Sequence, residues 1–430
     1  MNGRVPTALL AAVTLLAGSV GLAACGGGSK SAKPPAGGFK LVIGESAPLT
    51  GDLADFGDAG KKASQIAVRQ IRSAIKATRS KEEVKLEVLD NQTSPASAAS
   101  TAEALAMQRR ASCIVGAWAN QDTIAIARAV STNLRVVQIS PGSTDTAISD
   151  LDDQGYVDRT APPDWLQASA LADGLARDLG GAAAKTVSVI ARRDVYGRNF
   201  AVTFSRTWRE KGGEIGQQVF YGPNKGDYSE ETKRSVSGDP DAYVVIDLPE
   251  TFARYAPQLL STRKWTAAKS WGSDGLALSN LASLAGVKAT EGMRVLSPGA
   301  PATGRAATAF TRLYLRSHPR SIPRATSDAQ TFDATILCYL SAVAAGSSKG
   351  ALMKDKVRAV SGPPGRKFTW QQLPDAVRAL QAGQDIDYQG ASGPIDLDEK
   401  GDPTAGYYDV LVFRRGKLEP LTQIPVEKKD

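Results

Sequence analysis

Apolar positions along the chain change period in a regular alternation. Phe39 to Ser46 reads as a strand, followed by the Gly/Pro/Asp-rich loop Pro48 to Gly57. After it Ala63, Ile66, Ala67, Ile71, Ala74 and Ile75 fall at the three-four spacing of a helix with one buried stripe. The pattern repeats: strand Val84–Asp90, helix Ala96–Arg110, strand Cys113–Trp118, helix Thr123–Ser131, strand Arg135–Ser140. Short apolar runs separated by helical stripes predict parallel strands joined by helices that cover both faces of an open sheet. The Pro-rich break Ala161-Pro162-Pro163 interrupts the rhythm, which then restarts: helix Asp164–Leu179, strand Thr186–Ala191, helix Phe200–Lys211, strands Glu214–Tyr221 and Ala242–Leu248, helix Thr251–Ser261, strand Ala268–Gly272. Helices are expected at Arg305–Ser317 and Ala329–Ala345, with a β-rich end at Tyr407–Phe413. Two α/β units in succession imply an α/β fold of two Rossmann-like lobes, and no solenoid-type repeat competes with that reading.

The first residues carry a different pattern. Arg4 precedes an apolar run from Ala8 that closes on Leu22-Ala-Ala-Cys25. One basic residue, a short apolar stretch and small residues before a cut make a secretory signal, and the stretch is short for a membrane span. With the cysteine at its end it resembles a bacterial lipoprotein signal, which implies cleavage of residues 1–24, lipidation of Cys25, and a Gly/Ser/Pro/Lys tether over 25–38. The chain is therefore expected outside the cytoplasm, lipid-anchored to the cell membrane.

Composition supports a folded chain, with 42% hydrophobic and 22% charged residues over 430 positions. The formal charge of +8 drops by one with Arg4, and the basic residues are scattered in short pairs such as Arg109-Arg110 and Arg414-Arg415. Dispersed charge outside the cell argues against nucleic acid as a partner. Besides Cys25 there are two cysteines, Cys113 and Cys338, both in apolar contexts; a disulfide between them is open, since pairing needs geometry the sequence does not give, and the apolar contexts favour two separate buried thiols.

Enzyme chemistry lacks its central residues. His318 is the one histidine and no Gly-x-Ser-x-Gly occurs, so neither a His-based metal site nor a serine triad is supported. Gly57 to Lys61 imitates part of a phosphate loop, with Asp55 and Lys62 where its first Gly and its Ser/Thr belong. A secreted hydrolase is the remote alternative. No catalytic residue, metal or cofactor is expected.

In open α/β sheets ligands bind beyond the carboxyl ends of the strands. That rule nominates 46–51, 90–93, 118–121 and 140–144 in the first lobe, and 192–196, 247–250 and 271–274 in the second. Within these, Trp118 and Tyr196 read as cleft walls, Trp271 as core, and Asp247-Leu-Pro-Glu250 reads more readily as a helix capping box than as a ligand contact.

Taken in order, Ile43-Gly-Glu-Ser-Ala-Pro-Leu-Thr-Gly51, Ile114-Val-Gly-Ala117, Gln138-Ile-Ser-Pro-Gly-Ser-Thr144, Tyr156 to Asp164, Asp194-Val-Tyr-Gly197, Glu291-Gly-Met293 and Gly393 to Asp402 resemble the type I solute-binding proteins of ABC transporters, of the leucine/isoleucine/valine-binding kind. The resemblance implies parallel sheets flanked by helices and three hinge crossovers, near Arg159, Met293 and Gly390. It divides the chain into residues 39–159 plus 294–389 as one lobe and 160–293 plus 390–430 as the other. It implies a monomer that closes on a small polar solute, an amino acid or relative, and hands it to a membrane permease. For such a solute Asn120, Gln121, Ser143 and Thr144 would hold the carboxylate, Tyr196 would form a lid, and Asp274 would meet the ammonium, with Trp118 and Asp247 completing the ligand set. Two departures bear on specificity: Asn120-Gln121-Asp122 stands where a serine is usual, and Asp247-Leu-Pro where an aromatic is frequent. A receptor for amides, ureas or aromatic acids, and a sensor that passes occupancy to a signalling partner, therefore stand as alternatives.

Overall fold

The computed structural model describes residues 38–302 and 304–428. Cys25 and the leader and tether expected around it lie outside them.

Fourteen strands form two principal sheets and one small one. β1 (Lys40–Ala47), β2 (Glu83–Asp90), β3 (Cys113–Val115), β4 (Val137–Ser140) and β5 (Val157–Arg159) make a five-stranded parallel sheet in the order β2-β1-β3-β4-β5. The second contains β6 (Thr186–Arg192), β7 (Glu214–Tyr221), β8 (Ala242–Ile246), β9 (Ser270–Gly272), β10 (Arg294–Gly299), β13 (Ala405–Arg414) and β14 (Lys417–Glu427), in the order β14-β13-β10-β9-β8-β6-β7. Its five inner strands are parallel, and β13 and β14 add an antiparallel border. β11 (Arg366–Thr369) and β12 (Ile386–Gln389) pair separately.

The central parallel strands are buried because helices cover both faces, while the edge strands Glu83–Asp90 and Glu214–Tyr221 mix polar and apolar positions. In the first lobe the helix Ala54–Thr78 lays Ala63, Ile66, Ala67 and Ile71 on the sheet, and the helix Asp328–Ala345 is buried nearly all round. These share one core with Ile43, Val115 and Ile139. In the second lobe the helices Asp164–Leu179 and Val195–Glu210 pack Leu171, Phe200, Phe204 and Trp208 against Val189 and Val244. Trp271 belongs to that core, and His318 is exposed.

Three crossovers join the sheets, after β5, after β10 and after β12. The second falls later than Met293: the strand Arg294–Gly299 pairs with β9 and β13, so hydrogen bonding commits these residues to the second lobe rather than the first. Charged side chains tie the first crossover to the third. The fully buried Arg159 pairs with Asp402 at 2.7 Å and also donates to the carbonyl of Asp145 and the hydroxyl of Ser149. Asp333 accepts from the backbone of Ala391 and Ser392 and from the Tyr388 hydroxyl, which fixes the start of the third.

The two cysteines are joined, which corrects the expectation of separate thiols. β3 packs directly beneath the helix Asp328–Ala345, and this brings the Cα atoms of Cys113 and Cys338 to 5.9 Å, inside the range a disulfide spans. Closeness across 225 residues of sequence is not readable from either local context.

Candidate functional site

The carboxyl ends of the strands of the two lobes face each other across a cleft of about 740 Å3, counting the part open to solvent. The residues after β1, β3 and β4 supply Asp52, Phe56, Trp118, Asn120, Gln121 and Thr144 on one wall. Those after β6, β8 and β9 supply Arg192, Asp194, Tyr196, Leu248 and Asp274 on the other, and Thr326 and Ser327 close the hinge side.

Each wall is built by local requirements of the chain. Trp118 lies edge-on between two glycines: a Cβ at Gly60 would come within 2.5 Å of its ring and one at Gly142 within 2.8 Å, so only glycine admits the indole at both places. The indole is buried and its N–H has no partner. Asn120 begins the helix Asn120–Ile126, and its side-chain oxygen accepts from the N–H of Thr144 at 2.8 Å and of Asp145 at 3.2 Å. Arg159 grips the same loop from behind through the Asp145 carbonyl, and Asp164 donates its N–H to the Thr144 carbonyl at 2.7 Å. Opposite, Asp194 caps the helix Val195–Glu210 through the Gly197 N–H, and Tyr196 in its first turn donates to Asp274 at 2.7 Å.

Of the residues nominated from sequence, Trp118, Asn120, Gln121, Thr144, Tyr196 and Asp274 meet at this cleft. Ser143 and Asp247 do not reach it. The Ser143 hydroxyl is consumed inside the first lobe by the Trp118 carbonyl and the Thr123 hydroxyl. Asp247 points into the second lobe, where it accepts from the Tyr221 hydroxyl and the Leu248 N–H. It does not cap the following helix, whose first turn starts at Pro249 after Leu248. Its Tyr221 partner belongs to an aromatic nest in which Tyr221 stacks on Tyr255 and both meet Tyr228 edge-on.

Burial raises the acids around the cleft. Asp247 is pushed up to about 7, partly countered by the Arg192 guanidinium. Asp164 is pushed up to about 8 by burial, with the Thr144 hydroxyl pulling the other way. Asp274 is also raised by burial, with the Tyr196 hydroxyl pulling the other way.

Two polar contacts bridge the lobes beside the ligand space. Arg192 Nη2 lies 3.0 Å from Asp52, while Arg192 also pairs with Asp194 on its own side. Asn199 donates to Asp145 at 2.8 Å. Arg192 was named from sequence only as a neighbour of a strand end, and Asp52 lies one residue beyond the nominated stretch 46–51. An arginine that ends an apolar strand at Thr186–Arg192 is the signal that marks it, because such a cation needs partners across a gap. Asp52 is half exposed, so the bridge is worth at most about 1 kcal/mol. Asp52→Asn is accordingly expected to shift the lobes a few-fold toward opening, seen as a larger radius of gyration in X-ray scattering; an unchanged radius would assign lobe contact to Asn199–Asp145 and the apolar wall of Phe56 and Trp118.

Comparison with known proteins agrees with this geometry. A family profile described as periplasmic binding protein matches residues 40–409. A chemotactic signal transduction system substrate-binding protein of Halobacterium salinarum is 24% identical over 344 residues, covering 79% of this chain and 77% of the relative. Among solved structures, a leucine-binding protein of Thermotoga maritima superposes with a TM-score of 0.72 at 22% identity, covering 90% of this chain and 98% of that one. A solute-binding protein of an ABC transporter from R. palustris, in complex with benzoate, gives 0.67 at 16% identity over 92% and 98% of the two chains.

Proposed function

The chain belongs to the periplasmic binding protein family, a solute-binding rather than enzymatic class that works outside the cytoplasm, and from that premise we propose that it captures a small polar solute, an amino acid or related compound, between its two lobes and delivers it to an ABC permease. The observation that carries this reading is the cleft itself, walled by the strand ends of two lobes and crossed by Asp52–Arg192 and Asp145–Asn199. Closing a hinge on a solute removes both from water, and only a two-walled site can do so. In this reading the protein is a monomer held to the membrane by a lipid on Cys25.

Trp118, Asn120, Gln121, Thr144, Tyr196 and Asp274 are the contacts we propose. A cationic group beside Asp274 favours its carboxylate form and so offsets the burial that raises its pKa. Asp274→Asn should therefore weaken an amine-bearing solute by about 2 kcal/mol, the scale of a charged hydrogen bond, and a neutral amide by less. Calorimetry with both types checks this; equal losses would take Asp274 out of ammonium recognition.

A screen of amino acids, amides and aromatic acids by thermal shift tests the whole reading, because occupancy stabilises the folded state with the logarithm of concentration over affinity. Scattering on any compound that shifts the midpoint must show compaction. A shape and a midpoint indifferent to all compounds would sink the proposal. The halobacterial relative belongs to a chemotactic signalling system, which favours, as second reading, a sensor reporting occupancy to a membrane partner. Co-purification with a permease or with a signalling receptor separates the two.

A further inference from the structure

An α-carboxylate needs hydrogen-bond donors that are free to turn to it, and one run of successive amides on the first wall is already committed. The successive N–H groups of Thr144 and Asp145 converge on one point, the arrangement in which an anion's oxygen would sit. Asn120 Oδ1 occupies that point, at 2.8 and 3.2 Å. The neighbouring Ser143 N–H is taken by the Ser140 hydroxyl at 3.0 Å. Asn120 is buried, so its neutral carboxamide fills the place from inside the fold.

Charge on the lining points the same way. Asp52, Asp194 and Asp274 line the cleft, against one cation among the described lining residues, Arg192. Arg192 is already engaged by Asp52 and Asp194, so it has little charge left to offer an anion. Even with Asp274 protonated, two carboxylates outnumber one guanidinium. The remaining surface includes the aromatic rings of Phe56, Trp118 and Tyr196, and aromatic faces beside carboxylates attract organic cations and repel anions.

Resting on the solute-binding reading above, we propose that the cleft selects an organic cation that lacks a carboxylate, an amine of the size of a decarboxylated amino acid. Asn120 is then a specificity-determining residue: it supplies internally the oxygen that an amino acid would bring.

Matched pairs that differ only in the carboxylate test this: isopentylamine against leucine and cadaverine against lysine, titrated into the purified full chain by calorimetry and thermal shift. The expected result is at least a tenfold preference for the amine in one pair or both. In Asn120→Ala the amides of Thr144 and Asp145 become available, so the preference should narrow at least tenfold toward the amino acid; Asn120→Ser, which keeps a short polar group, serves where the alanine variant loses its native circular dichroism. Preference for the amino acid in both pairs, or for benzoate over every amine, overturns this inference and leaves solute binding intact. If none of the five compounds binds, the inference falls, and if scattering is also indifferent to every compound of the broader screen, the solute-binding reading falls with it.

Discussion

Replacing both Cys113 and Cys338 by alanine is expected to lower the unfolding free energy by about 4 kcal/mol. The bridge closes a loop of 225 residues, and in the chain-entropy treatment a cross-link of that span restricts the unfolded chain by about 5 kcal/mol, a figure that residual structure in the unfolded chain reduces. Few single features of the chain act over such a distance. The bridge lies wholly within the first lobe, between β3 and the helix Asp328–Ala345, in the core that also holds Val115, Phe332 and Leu337. Loss of protection should therefore concentrate there, while the strands around Trp208 and Val244 keep theirs. Urea unfolding of the double variant, with hydrogen exchange on both lobes, measures this. An unchanged urea midpoint would mean that packing alone sets the stability of that core.

Glu45→Gln is expected to stabilise the protein by up to about 4 kcal/mol above pH 8 and to leave it nearly unchanged near pH 4.5. Glu45 is fully buried in β1, and neither carboxyl oxygen has a hydrogen-bond partner. Burial pushes its pKa from 4.5 up to about 8, with the nearby Ser64 hydroxyl and Lys61 offsetting only a part. The sign follows from proton counting. Below about pH 4.5 folded and unfolded chains both hold the proton, and the stability is fully present. Between about 4.5 and 8 only the folded chain holds it, so stability falls as pH rises and levels off above the folded pKa. Asp164, at about 8, adds to the same slope. Denaturation at pH 5, 7 and 9 should show wild-type stability declining and the variant declining less; parallel curves would place the pH dependence elsewhere.

Much of the architecture was legible along the chain, and specific elements show why. The helix Asp164–Leu179 and the strand Glu214–Tyr221 coincide with their expected limits, because sharp signals bound them: Pro163 before the helix, Gly180 after it, and Gly213 and Gly222 around the strand. Other elements escaped. The strand Lys417–Glu427 contains Pro420 and Pro425, which demote a run in sequence reading, yet it lies at the sheet border, where a missing N–H costs no ladder bond. The helix Leu373–Gln381 carries its stripe at Leu373, Ala376, Val377 and Leu380, short enough to pass for a loop, and the Thr369 capping box belongs to the turn Trp370–Gln372 before it.

Local pattern by itself determined the alternation of strand and helix, the two α/β units, and the loops at strand ends from which the cleft is built, because period and turn chemistry act over a few residues. It did not determine which side chains on those loops face the solute. Ser143 and Thr144 are adjacent, and packing turns one inward and leaves the other on the wall. Nor did it determine that Asn120 caps the Thr144 and Asp145 amides, that Arg192 reaches Asp52, or that Cys113 meets Cys338. Each of these joins residues from different elements, and such distances exist only once the sheets have closed and the helices have docked.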